Sequence, residues 1–468
     1  MSTPHDTQRL WQADRDHFIH PYTDFATFSE EGSQVITGAS GVEVVDAEGN
    51  TFLDAIAGLW CVNIGHGREE MADAIRDQVL QMQYYNPFGH STNEPAALLS
   101  AKLAELAPGE LNHVFYSTGG STANDVAARL AHYYFEIQGR PSKKKIISRL
   151  DAYHGSTYFA ANLTGIEGTK IGFNCIATDI IEHISAANCY RAPEGMDEAA
   201  YCDHLVEEFE RKINELGADN IACFFAEPIM GAGGVLVAPT GYHARMQAVC
   251  RANDILYIAD EVVTGFGRLG EWFASDSIYN TQPDMIVSAK GISSGYIPLG
   301  ATLISDEIYA VISEPQVEGG ALTMGFTYSG HAVACAAALK NIEILQREDI
   351  CGHVRSTAPK LLENLGSLRE LPMVGDVRGS HYMVGIELVS DKAKKQGFEA
   401  TVGAAHRVFK RCLSRGVIVR PVGNVIVLSP PLIFEERHCQ QVASTLYDSI
   451  SETAAELKVA GLLSDRAA

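Results

Sequence analysis

Two short apolar runs each end in a residue able to do chemistry: residues 255–259 (Ile-Leu-Tyr-Ile-Ala) lead into Asp260, and residues 285–289 (Met-Ile-Val-Ser-Ala) lead into Lys290. A lysine at the end of a buried strand loses the hydration of its ammonium, which favours the neutral, nucleophilic amine. An aspartate on the same edge is the partner that a protonated pyridine nitrogen requires. The pair points to a site for pyridoxal 5'-phosphate (PLP). Two ordinary strand ends, with acid and amine solvated or ion-paired, are the alternative, and the rest of the chain must decide between them.

Short apolar runs bounded by turn signals read as buried strands of a parallel sheet, the kind whose C-terminal edge holds ligands. Residues 113–117, 146–148 and 221–226 read the same way, and the helical segments between them imply βα units. After the first comes Thr118-Gly119-Gly120-Ser121, and then Val126, Leu130, Tyr134 and Ile137 at helical spacing until Gly139 and Pro141. A strand, a glycine turn and a helix start can bind phosphate through free backbone N–H groups and the positive end of the helix dipole. Ser121 as a plain N-cap is the other reading. The second strand runs into a polar loop whose Tyr153 can stack on a planar ligand, with His154 beside it, and the third is closed by Glu227-Pro228.

At 468 residues the chain suits a large α/β domain joined to a smaller one. Its 36 basic and 58 acidic residues give a formal charge of -22, which opposes binding to nucleic acid or to an anionic membrane surface. The ten cysteines are scattered singly, without a C-x-x-C pair or zinc-ribbon spacing, as expected of reduced, mostly buried thiols in a cytoplasmic protein. No apolar run reaches membrane-spanning length, and no metal site is expected.

Towards the N-terminus, residues 42–45 and 51–53 flank the turn Asp46-Ala47-Glu48-Gly49-Asn50 and read as a hairpin. The glycine-rich stretch from Asp54 to Gly67 carries Trp60, which either lines a pocket or plugs a core; residues 84–88, ending in Phe88, pose the same choice. Gly265-Phe266-Gly267-Arg268-Leu269-Gly270 matches the glycine fingerprint of dinucleotide-binding folds, but no helix follows it, so that reading lacks its structural context. Beyond Lys290, residues 325–331 lead into an alanine-rich helix over residues 332–346, residues 383–389 alternate like a half-exposed strand, and residues 417–420 and 425–429 flank Pro421-Val422-Gly423-Asn424 as a hairpin. The expected division is residues 1–67 as the N-terminal part of a small α+β domain, 68–335 as the large domain, and 336–468 as the remainder of the small one.

Taken together, these motifs resemble the class III PLP-dependent aminotransferases, close to the amine:pyruvate (omega) transaminases, along almost the whole chain. The resemblance implies a fold-type I α/β enzyme with a mostly parallel sheet of seven-stranded type, flanked by helices. Within it, Ser288-Ala289-Lys290-Gly291 resembles the motif carrying the Schiff-base lysine. Ala259-Asp260-Glu261-Val262 resembles the one supplying an acid to the pyridine nitrogen and an apolar residue, Val262, to one ring face. Gly120 and Ser121 fall in the phosphate turn, although Gly119 and Thr122 depart from the family's usual Ser-Gly-Ser and Glu-Ala-Asn. The match further implies Tyr153 and His154 as the stacking motif, Glu227 near the ring, and Thr327 on the phosphate of a neighbouring subunit. Arg420 would receive the substrate carboxylate, and Trp60, Phe88 and Tyr153 would line the substrate pocket. The implied reaction moves an amino group from a primary amine or omega-amino acid to a keto acid such as pyruvate, in a homodimer or dimer of dimers with shared sites. A PLP aminomutase on the same fold and a nicotinamide oxidoreductase are the competing enzyme readings.

Overall fold

A computed structural model of the chain describes residues 6–173, 179–314 and 322–464; Cys175 lies outside them. The centre is a seven-stranded sheet in the order His113–Ser117, Gly300–Ile304, Met285–Ser288, Leu256–Asp260, Ile221–Ala226, Lys145–Arg149, Ile181–Ile184. Gly300–Ile304 runs antiparallel to both of its neighbours, and the other pairings are parallel, which gives the mostly parallel sheet expected. The inner strands Ile221–Ala226, Leu256–Asp260 and Met285–Ser288 are buried at every position. Covered on both faces, they need no alternation, and this is why they read as continuous apolar runs.

Helices cover this sheet. Gly120–Ile137 buries Val126, Leu130 and Tyr134 against it, the spacing seen in the sequence. Ala332–Arg347 packs on Glu69–Met82 and Glu94–Leu106, so position 335 falls inside a continuous helix. No helix among the described residues is long and apolar enough to cross a membrane.

Both ends of the chain meet in a second layer. Strands Glu43–Asp46 and Thr51–Asp54 form the expected hairpin, its turn held by Asp46 Oδ1, which accepts the N–H groups of Glu48 at 3.0 Å and Asn50 at 2.9 Å. Ile36–Ser40 joins one edge, and Val417–Ile418 pairs in parallel on the other, Ile418 opposite Asp54. The expected hairpin over residues 417–429 is therefore split: Val417–Ile418 leaves for the N-terminal sheet, and only Arg420–Val422 pairs with Val425–Leu428. A second difference concerns Met383–Asp391, which is almost wholly buried rather than half exposed. It lies between Val374–Ser380 and Val425–Leu428, and its polar side is covered too. Glu387 pairs there with Arg191 and Arg378, and the Gly385 backbone abuts the loop at Gly234 and Val235.

Of the nine cysteines in the described residues, all free, Cys189 is exposed and Cys61 half-buried; the others are buried.

Candidate active site

Sheet register sets the site. Ala259 lies opposite Ala226 in the parallel pair, so the next residues, Asp260 and Glu227, emerge side by side at the C-terminal edge. Asp260 itself stands opposite Val287 on the other neighbouring strand, three residues before Lys290. Lys290 has φ 46, a left-handed conformation that costs a residue with a Cβ and persists only where its surroundings enforce it. Together these residues floor a cavity of about 690 Å³.

The Asp260 carboxylate is 4 % exposed and held from three directions. Its Oδ2 accepts from His154 Nδ1 at 2.7 Å and Asn124 Nδ2 at 2.8 Å, and its Oδ1 accepts the Val262 N–H at 3.1 Å. Asn124 also donates to the backbone carbonyl of His154 at 2.7 Å, tying helix, loop and strand together around the carboxylate. Glu227 accepts the N–H of Tyr153 at 3.0 Å and of Gly231 at 3.2 Å. Burial pushes its pKa above the usual carboxylate range, partly offset by His154. Desolvation pulls the Lys290 ammonium below its ordinary pKa of 10.5, against the opposing pull of Asp260.

Strand, glycine turn and helix start follow one another as read. Helix Gly120–Ile137 starts at Gly119 with no side-chain cap, so Ser121 does not act as an N-cap; its Oγ accepts the Ser156 N–H at 3.1 Å instead. A Cβ on Gly120 would sit 3.1 Å from both methyl carbons of Val262, tighter than ordinary packing, so glycine there keeps room for the residue that walls one side of the cavity. Tyr153 walls another part, its hydroxyl within 3.0 Å of Ser156 Oγ and 3.2 Å of Tyr22 OH; burial pushes its pKa up to about 12.

Trp60 lines the cavity while 5 % exposed, so it is both wall and plug, and its ring packs so closely on Gly231 that a Cβ there would collide with it. Arg420 opens onto the same space, half-buried and without a carboxylate partner among the described residues; desolvation lowers its pKa. Among the described residues that line the cavity, Lys290 and Arg420 are the only lysine and arginine.

Ten of the twelve residues singled out from sequence thus share one cavity: Gly120, Ser121, Tyr153, His154, Glu227 and Val262 around Asp260 and Lys290, with Trp60 and Arg420 further out. Phe88 and Thr327 do not. Phe88 lies in a separate groove against Gly325, and Thr327 is exposed close by, its carbonyl accepting from Tyr84 OH at 2.8 Å. Sequence reasoning missed Asn124, Tyr22 and Cys61. Asn124 follows Ser121 by three residues on one helix, which puts both on the same face, a signal that was available. Tyr22 carries no such signal, because only tertiary packing brings the N-terminal segment here.

The glycines at 265–270 form a turn after the strand rather than a nucleotide loop. The next helix, Ala274–Ser277, has four residues, and the buried Arg268 reaches across to Asn63 Oδ1 at 3.0 Å and to the Pro430 carbonyl. This motif joins the two layers.

Residues 27–450 match the family Aminotransferase class-III. The chain is 40 % identical over 450 residues to a putrescine--pyruvate aminotransferase of Pseudomonas aeruginosa, covering 96 % of this chain and 97 % of that one. Among solved structures it superposes with a TM-score of 0.93 on a thermostable (S)-enantioselective omega-transaminase from Thermomicrobium roseum, 39 % identical, covering 96 % of this chain and 100 % of that one. The omega-transaminase of Pseudomonas jessenii in complex with PMP gives the same score at 35 % identity, covering 96 % and 99 %. The chain belongs to the class III aminotransferases. It is a PLP-dependent enzyme of fold type I that transfers an amino group from an amine donor to a keto-acid acceptor.

The cavity fits PLP by its own chemistry. A buried carboxylate lies at the sheet edge, an amine with depressed pKa two residues beyond the next strand, and an uncapped helix start on the wall, with Val262 and Tyr153 as apolar and aromatic surfaces.

Proposed function

We propose that the enzyme moves the amino group of a primary amine or omega-amino acid to pyruvate or a similar short keto acid. The observation that carries this reading is Arg420: one guanidinium, free of any carboxylate partner among the described residues, beside walls formed by Leu59, Trp60 and Ile229. One such group suits a small acceptor carboxylate, and the apolar walls suit a donor that brings none. The similarity to a putrescine--pyruvate aminotransferase agrees with it.

PLP supplies an electron sink joined to the carbon that bears the amine. The protein's part is to hold and move protons around it. Lys290, its amine favoured by desolvation, would hold the cofactor through Nζ and, when that amine is free, would take up and return a proton at Nζ beside the substrate carbon. Asp260, braced by His154 and Asn124, keeps the ring nitrogen protonated. Tyr153 and Val262 fix the ring plane, Gly120 and Ser121 bind the phosphate at the helix start, and Glu227 borders the ring. Trp60 shapes the amine site and Arg420 pairs with the acceptor carboxylate, while Phe88, in a separate groove of its own chain, would line an amine site only across a subunit interface. Thr327, exposed on this chain, reaches the phosphate in the neighbouring subunit, so the working unit is a homodimer or a dimer of dimers with shared sites. The division into residues 1–67, 68–335 and 336–468 and a cytoplasmic location complete the reading.

The test is Arg420→Ala in single-turnover half-reactions. The pyruvate half should slow by about 2–4 kcal/mol in transition-state terms, the range for truncating one partner of a desolvated charge pair, and the half with an uncharged amine far less. Equal losses in both halves, or none with pyruvate, would place the carboxylate elsewhere.

A further inference from the structure

We propose that the Asp54 carboxylate is a positioning residue that locks the strained loop of residues 55–62 and thereby sets the size of amine the cavity accepts. The inference rests on the reading that Trp60 walls the amine site.

The loop takes an improbable path. Ala57 has φ 50, Gly58 φ 65 with ψ -84, and Trp60 φ 62. Ala57 and Trp60 both carry a Cβ into the left-handed region, a conformation that persists only where other contacts over-determine it. Asp54 supplies those contacts. It ends the strand Thr51–Asp54 at 2 % exposure; its Oδ1 accepts the Ile56 N–H at 3.0 Å and its Oδ2 the Gly58 N–H at 2.6 Å. Two charge-assisted bonds therefore bracket Ala57, the first strained residue. His66 Nε2, 3.2 Å from the same Oδ2, holds the carboxylate from the other side.

What the loop delivers is the cavity wall: Leu59, Trp60 and Cys61 all line it. The Trp60 side chain has no polar anchor, because its Nε1 is buried without a hydrogen-bond partner among the described residues. The ring's place is set by the backbone path and by contact with Gly231. The same joint also holds the strand that leads to Arg420. Asp54 stands opposite Ile418 in the parallel pair, Ala55 N–H donates to the Ile418 carbonyl at 3.0 Å, and Arg420 follows two residues on. The hydrogen bonds of the Asp54 carboxylate go to the Ile56 and Gly58 backbone and to His66, none of which lines the cavity, yet they fix where the apolar wall stands relative to Arg420.

The experiment uses the holoenzyme with Asp54→Ala and Asp54→Asn, and the donor specificity ratio between a bulky arylalkyl amine and a short linear amine, with pyruvate fixed. Released from Asp54, the wall should yield: the ratio of kcat/KM values should move at least ten-fold towards the bulky donor in Asp54→Ala, chiefly through donor KM. Asp54→Asn retains shape but loses one acceptor, and should move it two- to three-fold the same way. An independent readout is alkylation of Cys61 by iodoacetamide, followed by peptide mapping, which should accelerate at least ten-fold in Asp54→Ala. Should Asp54→Ala fail to fold, Asp54→Asn decides the matter through its donor ratio. An unchanged ratio with Cys61 alkylated at the wild-type rate would overturn the proposal. Trp60→Ala separates the two readings: a shift there without a shift in the Asp54 variants defeats the role of Asp54 alone, whereas no shift in Trp60→Ala defeats the assignment of the wall itself.

Discussion

His154 Nδ1 lies 2.7 Å from Asp260 Oδ2, and the two residues, 2 % and 4 % exposed, meet at the cavity floor. The ring brings one N–H to an acceptor that water barely reaches. His154→Phe keeps a ring of similar breadth but removes that donor. Leaving a buried acceptor short of a partner costs about 1–3 kcal/mol, so the apoenzyme should lose that much in urea unfolding and bind PLP more weakly in titration. Unchanged stability together with unchanged PLP affinity would show that Asn124 and the Val262 N–H suffice to hold Asp260.

A pH dependence follows from Lys290, whose pKa is drawn down by desolvation from 10.5. Between its folded value and the unfolded one, the unfolded chain binds a proton that the folded apoenzyme does not. Stability contributed by this residue therefore rises as pH rises through that window, and below the folded pKa the charged amine stands in its unfavourable place. Denaturant unfolding of wild type and Lys290→Met across this range should show wild type gaining on the variant as pH increases. Parallel curves would mean that the folded protein leaves the amine unperturbed.

Thr327 lies outside the cavity of its own chain, which gives the shared site a complementation test. Lys290→Ala and Thr327→Asp protomers should each be inactive or nearly so. In a two-fold dimer with sites built across the interface, a mixed pair has one site carrying both defects and one carrying neither. Random re-association of equal amounts should then restore about a quarter of wild-type sites, as read by active-site titration. No recovery after mixing, with mixed dimers demonstrated, would confine each site to a single chain.

The strands that bear the chemistry were legible because burial on both faces leaves an unbroken apolar run, as in Leu256–Asp260 and Met285–Ser288. Ile181–Ile184 and Gly300–Ile304 were not. The first carries Glu182 and His183 at the sheet edge, where polar side chains are tolerated, and the second begins with glycine directly after Pro298-Leu299, which reads as a turn. Met383–Asp391 misled for the opposite reason: its alternation is real, but Arg191, Arg378 and the loop at Gly234 cover the face that looked solvent-exposed. Within the site, the residues at strand ends and turns could be seen in sequence, since their position follows from local structure. Long-range pairings such as His154 with Asp260, 106 residues apart, or Tyr22 with Tyr153, 131 apart, leave no local mark.

The central claim is that Lys290 carries the cofactor, and borohydride reduction of the PLP-loaded enzyme followed by peptide mapping tests it most directly. The account predicts one reduced pyridoxyl group per chain, on the peptide containing Lys290, and its loss in Lys290→Ala although that variant still binds PLP without a covalent link. A pyridoxyl label on any other lysine of the wild-type enzyme, with Lys290 unmodified, would contradict it.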